Sequence, residues 1–201
     1  MGRPKQHGEA TRKALLVRAG QVLQREGPEA LSLRRLAADV GTTTRAVYSV
    51  FGGKEGLLSA MYRTMGDTLA RLHEAVPQDP DVVVELVQLC LAYRESVRRH
   101  ATLYPLLFDG VPGFAPSSTD KEQARRGLVR VLSSLNRGIA EGRFHDRTAN
   151  DMAHELLALV HGLASLEVKG TLGGASRARR LWKDATSTLV AGFCAPSAPI
   201  P

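Results

Sequence analysis

The sequence predicts an all-α fold: an N-terminal three-helix domain built on a helix-turn-helix, then a larger helical bundle, with about nine helices in all. Three observations carry this expectation. Ala, Leu and Val are plentiful, and aromatic residues make up only 5% of the 201 residues, a composition that suits helices. No stretch alternates apolar and polar residues with the period of two that a half-buried strand needs. Residues 32–51 read as two short helices joined by a tight turn.

The chain begins with a flexible basic arm over residues 1–8, Gly2-Arg3-Pro4-Lys5-Gln6-His7, with too few apolar residues to fold alone. It suits a DNA groove or a solvated tail equally well. A helix is expected over about 9–26, with Leu15, Ala19, Val22 and Leu23 as its buried stripe and Gly27-Pro28 as its stop. Ser32 can cap the next helix through its hydroxyl. Leu33, Leu36, Ala37 and Val40 recur there at helical spacing, and Gly41 ends it. Thr43 caps the following helix, whose apolar face is Val47 and Phe51 with Val50, and Gly52-Gly53 closes it. Two helices this short bury little and need neighbours to fix their angle. In a helix-turn-helix the second helix enters the DNA major groove and reads base edges. Thr43, Thr44, Arg45, Tyr48 and Ser49 supply donors that the apolar face does not need.

Lys54 opens a long helix towards Pro77, carrying Leu57, Leu58, Met61, Met65, Leu72 and Val76. Gly66 near its middle costs about 1 kcal/mol relative to Ala and marks a place to bend. Asp79-Pro80-Asp81 reads as a helix start, with Asp79 as cap and Pro80 in the first helical position. That helix continues through Val83, Leu86, Val87, Cys90, Tyr93 and Val97. Tyr104 to Phe108, broken by Pro105, is a short helix or turn, and residues 110–118 form a Pro/Gly loop with Phe114 tucked in. Thr119-x-x-Glu122 is a capping box for a helix with Leu128, Val131, Leu132, Leu135 and Ile139. Thr148-x-x-Asp151 starts a helix over 149–169, and a last helix spans 176–193. The Pro/Ala/Ser residues 196–201 read as a disordered tail.

The net charge of +7 is unevenly placed. Residues 1–63 hold 11 Lys/Arg against 5 Asp/Glu, and the remainder is almost balanced. Charge alone would also suit an anionic membrane; the helix-turn-helix selects duplex DNA. Cys90 and Cys194 follow no metal-ligand spacing. His154 and His161 share a helix face without a third ligand, so no metal is expected. No phosphate-binding loop or nucleophile elbow is present. No cofactor and no enzymatic activity are expected. With no signal-like segment or spanning apolar run, the expected location is cytoplasmic, without a membrane partner.

The stretch Gly41-Thr42-Thr43-Thr44-Arg45-Ala46-Val47-Tyr48-Ser49-Val50-Phe51-Gly52-Gly53-Lys54-Glu55-Gly56-Leu57 resembles the DNA-binding signature of TetR-type (TetR/AcrR) transcriptional regulators. The shared pattern is a glycine, a short polar turn, a Tyr three residues before a Phe, and a Lys opening the next helix. Leu159-Val160-His161-Gly162-Leu163-Ala164-Ser165-Leu166-Glu167 is similar to the His-Gly segment of one subgroup, with Val160 in place of the usual Trp. The resemblance implies a DNA-binding domain over 9–69 and a ligand-binding and dimerisation domain over 70–195. It implies that Tyr48 and Lys54 contact phosphates and that Thr43 both caps and contacts phosphate. Thr44, Arg45 and Ser49 become base readers; Arg45 replaces a commonly small residue and suits either guanine or phosphate. A small apolar effector would lie among Met61, Met65, Cys90, Tyr93, Tyr104, Phe108 and His161. Leu156, Leu159, Leu163, Leu181, Trp182 and Leu189 would join two copies in a homodimer. The implied function is a ligand-responsive repressor of a palindromic operator. The alternatives are a sequence-nonspecific architectural DNA binder and a helical small-molecule-binding protein without DNA function.

Overall fold

The computed structural model describes residues 3–104, 110–145 and 147–194. Among them are eight α-helices: α1 Arg3–Glu26, α2 Leu33–Val40, α3 Thr44–Phe51, α4 Lys54–Glu74, α5 Val82–Arg99, α6 Ser118–Ala140, α7 Ala149–Val168 and α8 Ala175–Phe193. A short 3₁₀ turn, Pro28–Ala30, links α1 to α2. The short helix or turn expected at 104–108 lies, apart from Tyr104, outside the described residues, as does the tail at 196–201.

Several starts differ from expectation. α1 begins at Arg3, so the arm expected over 1–8 is helical from that residue. Pro4 does not oppose this, because the first turn of a helix has no use for its missing N–H. α5 begins two residues late: the Asp81 carboxylate accepts from Val83 N–H at 3.0 Å, while Asp79 turns the chain by accepting from Asp81 N–H at 2.9 Å. α6 is capped one frame early. Ser117 Oγ accepts from Asp120 N–H at 3.1 Å and Asp120 Oδ2 from Ser117 N–H at 3.1 Å, a reciprocal box that displaces the one expected from Thr119 and Glu122. Aspartate serves because it also reaches Ser59 Oγ at 3.0 Å and the Arg63 guanidinium. Ser32 precedes α2 but makes no side-chain capping bond. Thr43 and Thr148 do cap, accepting from Ala46 N–H and Asp151 N–H at 3.1 Å each.

The chain packs as two compact units: Met1–Asp67 with His100–Ala124, and Thr68–Arg99 with Arg125–Pro201. Residues 100–124, expected within the second domain, therefore belong with the first. Contact explains the difference. Thr102 and Leu103 press against Gly20, where an added Cβ would come within 2.6 Å of the Leu103 side chain. Gly66 marks no bend in the continuous α4; it lets the α6 backbone approach, since a Cβ there would lie 2.8 Å from the Cα of Ala124.

In the first unit α1 packs on α2 and α2 on α3, around buried Leu15, Ala19, Val22, Leu36, Val47, Phe51 and Leu57. In the second unit α5 packs on α7 and α8, around Leu86, Leu89, Leu135, Met152, Trp182 and Phe193. Arg94 of α5 holds Glu167 of α7 through two bonds of 2.7 and 2.9 Å. Burial works to raise the Glu167 pKa, yet the Arg94 bonds outweigh it and hold it below the ordinary value.

Glu85 is the most enclosed acid, 1% exposed. Its Oε1 accepts from Ser134 Oγ at 2.6 Å and Arg130 at 3.0 Å; its Oε2 accepts from Arg137 at 2.6 Å and Asp79 N–H at 3.0 Å. Removing one partner of a buried ion pair strands the others, at a cost of about 3–5 kcal/mol. Glu85→Ala is therefore expected to lower the unfolding free energy by about 3 kcal/mol, because both arginines retain some solvent. Chemical denaturation of the two proteins measures this, and a loss below about 1 kcal/mol would contradict the role given to Glu85.

Candidate DNA-binding face and second-unit cavity

The exposed face of α3 is built from its buried one. Val47 and Phe51 anchor the helix, with Gly41 and Gly52 at φ 72° and 74° closing α2 and α3. Val50, expected on the apolar face, points outward at 37% exposure. Thr43, Arg45, Tyr48 and Ser49 are exposed, and Thr44 is half-buried beside them. Tyr48 is 54% exposed, an unusual position for an aromatic that the core does not use. Lys54, at the first turn of α4, is exposed and donates to Pro28 O at 3.3 Å. The six residues proposed from sequence for DNA thus lie on or just after one short helix, with their polar atoms accessible.

Two surface pairs set α2 against α1. Arg18 donates to Asp39 at 2.7 Å, and Arg35 holds Glu26 through bonds of 2.6 and 2.8 Å. The Arg35 hydrogen bond holds the Glu26 carboxyl below its ordinary pKa. Arg34 and Arg45 enter no ion pair among the described residues, so their charge remains available to an anion.

The expected effector residues divide. Met61, Met65 and Tyr104 are buried in the first unit. Phe108 lies outside the described residues. Cys90 and Tyr93 line a small cavity of about 30 Å³ in the second unit, together with His73, Leu89, Leu128, Val131, Ala153, Leu156, Leu157 and Val160. Burial pushes the Cys90 thiol up to about 12, which leaves it a poor nucleophile. Tyr93 O–H donates to His161 Nδ1 at 2.6 Å, edge-on to its ring. Burial lowers the His161 pKa to about 4, so its Nδ1 keeps the lone pair that this bond uses. His154, its expected neighbour, is exposed and faces Asn150 O at 2.7 Å.

The expected dimer residues divide as well. Leu156 and Trp182 are 3% and 0% exposed inside the second unit, so no second copy can reach them. Leu159, Leu163, Leu181 and Leu189 are half-buried, and Leu166 is 45% exposed. Among the described residues no helix is long and apolar enough to cross a membrane.

A capped reading helix beside an accessible lysine, carried by a chain whose second unit is a helical bundle, defines a helix-turn-helix transcriptional regulator. Residues 15–61 match the family described as bacterial regulatory proteins, tetR family, and residues 86–189 match the tetracyclin repressor-like C-terminal domain. The chain belongs to the TetR family of DNA-binding transcriptional regulators, whose members are not enzymes. Among curated proteins none matches it in sequence. A structure of a protein of unknown function from Rhodococcus sp. RHA1 is similar at 26% identity, covering 92% of this chain and 96% of that one, with a TM-score of 0.72. The TetR family regulator PfmR from Thermus thermophilus shares the fold at 18% identity, with 89% and 95% covered and a TM-score of 0.74. AibR, solved in complex with isovaleryl coenzyme A and operator DNA, shares it at 16% identity, with 90% and 98% covered and a TM-score of 0.72.

Sequence reasoning passed over Gly56. A Cβ there would sit 1.8 Å from Phe51 O, so only glycine lets α4 leave α3 at this angle. The run Gly52-Gly53-Lys54-Glu55-Gly56 offered the signal, a third glycine inside a helix start. Gly56→Ala is expected to destabilise the protein by about 1–3 kcal/mol and to weaken DNA binding by tilting α3. Thermal melts paired with a gel-shift titration check both effects, and wild-type behaviour in both would refute the constraint.

Proposed function

We propose that the protein is an effector-responsive repressor that binds a palindromic operator as a homodimer. The observation that carries this reading is the α3 face: Thr43, Arg45, Tyr48 and Ser49 exposed on a helix whose other side is locked by Val47 and Phe51. Tyr48, Lys54 and Thr43 act on phosphates. Lys54 exchanges the Pro28 carbonyl for a phosphate at the α4 N-terminus, where free N–H groups attract the same anion. Thr44, Arg45 and Ser49 read base edges, and Arg45, without an ion-pair partner, suits a guanine.

Leu159, Leu163 and Leu166 of α7 with Leu181 and Leu189 of α8 form the contact between two copies. They recur at helical spacing and keep solvent exposure that a lone protomer leaves uncovered. A two-fold dimer then presents two reading helices to two half-sites. The effector acts by preferring the dimer whose helices are wrongly spaced, and α4 carries the change. That AibR was solved with both an acyl coenzyme A and its operator supports the pairing of the two ligands within this fold.

Footprinting of the protein on genomic fragments, its own promoter included, should reveal a discrete palindrome at physiological salt. Uniform, salt-sensitive protection would favour the architectural reading instead. On that site, Lys54→Ala is expected to weaken binding across all sequences and reduce the salt slope by about 0.9. Arg45→Ala should cost about 1–3 kcal/mol and relax selectivity at one position per half-site. The dimer is tested separately: Leu163→Asp should sediment as a folded monomer, and an unchanged dimer would place the interface elsewhere.

A further inference from the structure

His73 is 2% exposed and occupies the penultimate turn of α4, inside the second unit. Each of its ring nitrogens faces a backbone carbonyl. Nδ1 lies 2.5 Å from Gly127 O of α6, and Nε2 lies 3.1 Å from Leu89 O of α5. A neutral imidazole carries one N–H, so it can donate to one of these carbonyls only. Burial lowers the His73 pKa, the two carbonyls work to raise it, and the Arg130 charge lowers it again. The ring is therefore neutral, and the closer contact identifies Nδ1 as the donor. Nε2 then turns a lone pair towards Leu89 O, and two acceptors face each other without a proton between them. Both residues border the 30 Å³ cavity.

The rest of the lining sharpens the chemistry. It contains no Asp, Glu, Lys or Arg, so a charged ligand would enter unpaired. Tyr93 is committed to His161, and the Cys90 thiol stays protonated. Leu128, Val131, Leu156, Leu157 and Val160 supply an apolar wall. We propose that this cavity takes a small uncharged molecule with one hydrogen-bond donor, a hydroxyl or N–H, on an apolar body, and that His73 Nε2 reads the donor. The proposal rests on the reading of the second unit as the effector-binding part, and it adds the class of ligand. At about 30 Å³ the cavity has room for one or two waters as it stands, so an organic ligand must part the side chains that line it.

The test uses the full-length protein with 15N-labelled histidine, titrated separately with phenol and with toluene, which carries a methyl group in place of the hydroxyl. Before any addition, the His73 ring should show the Nδ1–H tautomer; an Nε2–H tautomer or an imidazolium at neutral pH overturns the proposal. Phenol should bind saturably, shift the Nε2 resonance, and bind about tenfold more tightly than toluene. Equal affinities, saturation without movement of that resonance, or no saturable binding of phenol each overturn it. His73→Phe should remove the preference for phenol while toluene still binds. Should that variant not fold, the tautomer and the Nε2 shift of the wild-type protein still decide. Operator affinity is measured apart from these titrations. Phenol that binds as expected but leaves operator affinity unchanged would defeat the effector reading and leave the ligand class standing.

Discussion

The carboxylate of Glu85 holds together the region where three helices of the second unit meet. Four donors converge on it: a serine hydroxyl, two guanidinium groups and a backbone N–H. Its two arginines extend the hold. Arg130 reaches Val76 O at 3.5 Å and Arg137 reaches Asp79 O at 2.9 Å, so the turn after α4 is gripped by α6 on both sides of Pro77. His73 adds its own contacts to α5 and α6 one turn earlier. The last turn of α4 is thus fixed by polar groups of defined length rather than by apolar contact alone. Hydrophobic packing tolerates small slides; bonds to particular carbonyl oxygens do not. Any motion of this helix end has a discrete set of bonds to exchange, which favours two positions over a continuum.

The DNA-reading part follows the opposite rule. Its helices are short, its core small, and its ion pairs lie at the surface, where each contributes at most about 1 kcal/mol. Geometry there comes from backbone constraints: left-handed glycines at 41 and 52, the Thr43 cap, and the forbidden Cβ at Gly56. Such constraints leave the outward side chains free to be chosen for DNA alone.

The same contrast explains what the sequence made legible. Local chemistry was readable: Thr43 and Thr148 cap where their spacing said they would, and Gly27, Gly41 and Gly52 end or turn the chain with positive φ. Where two local answers competed, tertiary contact chose. Asp120 beat Glu122 as the α6 box partner because it also meets Ser59 and Arg63, 61 and 57 residues earlier in the chain. Asp81 displaced Asp79 as the α5 cap because Asp79 gives its backbone N–H to Glu85. Helical periodicity marked Leu156 and Trp182 as apolar but could not say which apolar face turns inward. The return of residues 100–124 to the first unit left no trace in local pattern, since the small residues that admit it, Gly20 and Gly66, look like ordinary helix breakers. The pairing of His73 with two carbonyls was invisible for a related reason: backbone oxygens carry no sequence identity.

The size of the second-unit cavity has a kinetic consequence. A space of about 30 Å³ admits little more than solvent, so anything larger waits for the walls to part. Arrival is then governed by how often α5, α6 and α7 loosen, not by how often ligand and protein collide. Above a certain concentration more ligand brings no faster response, and the opening rate becomes the clock of the regulator. Departure obeys the same gate, so even a weakly held molecule stays until the next opening.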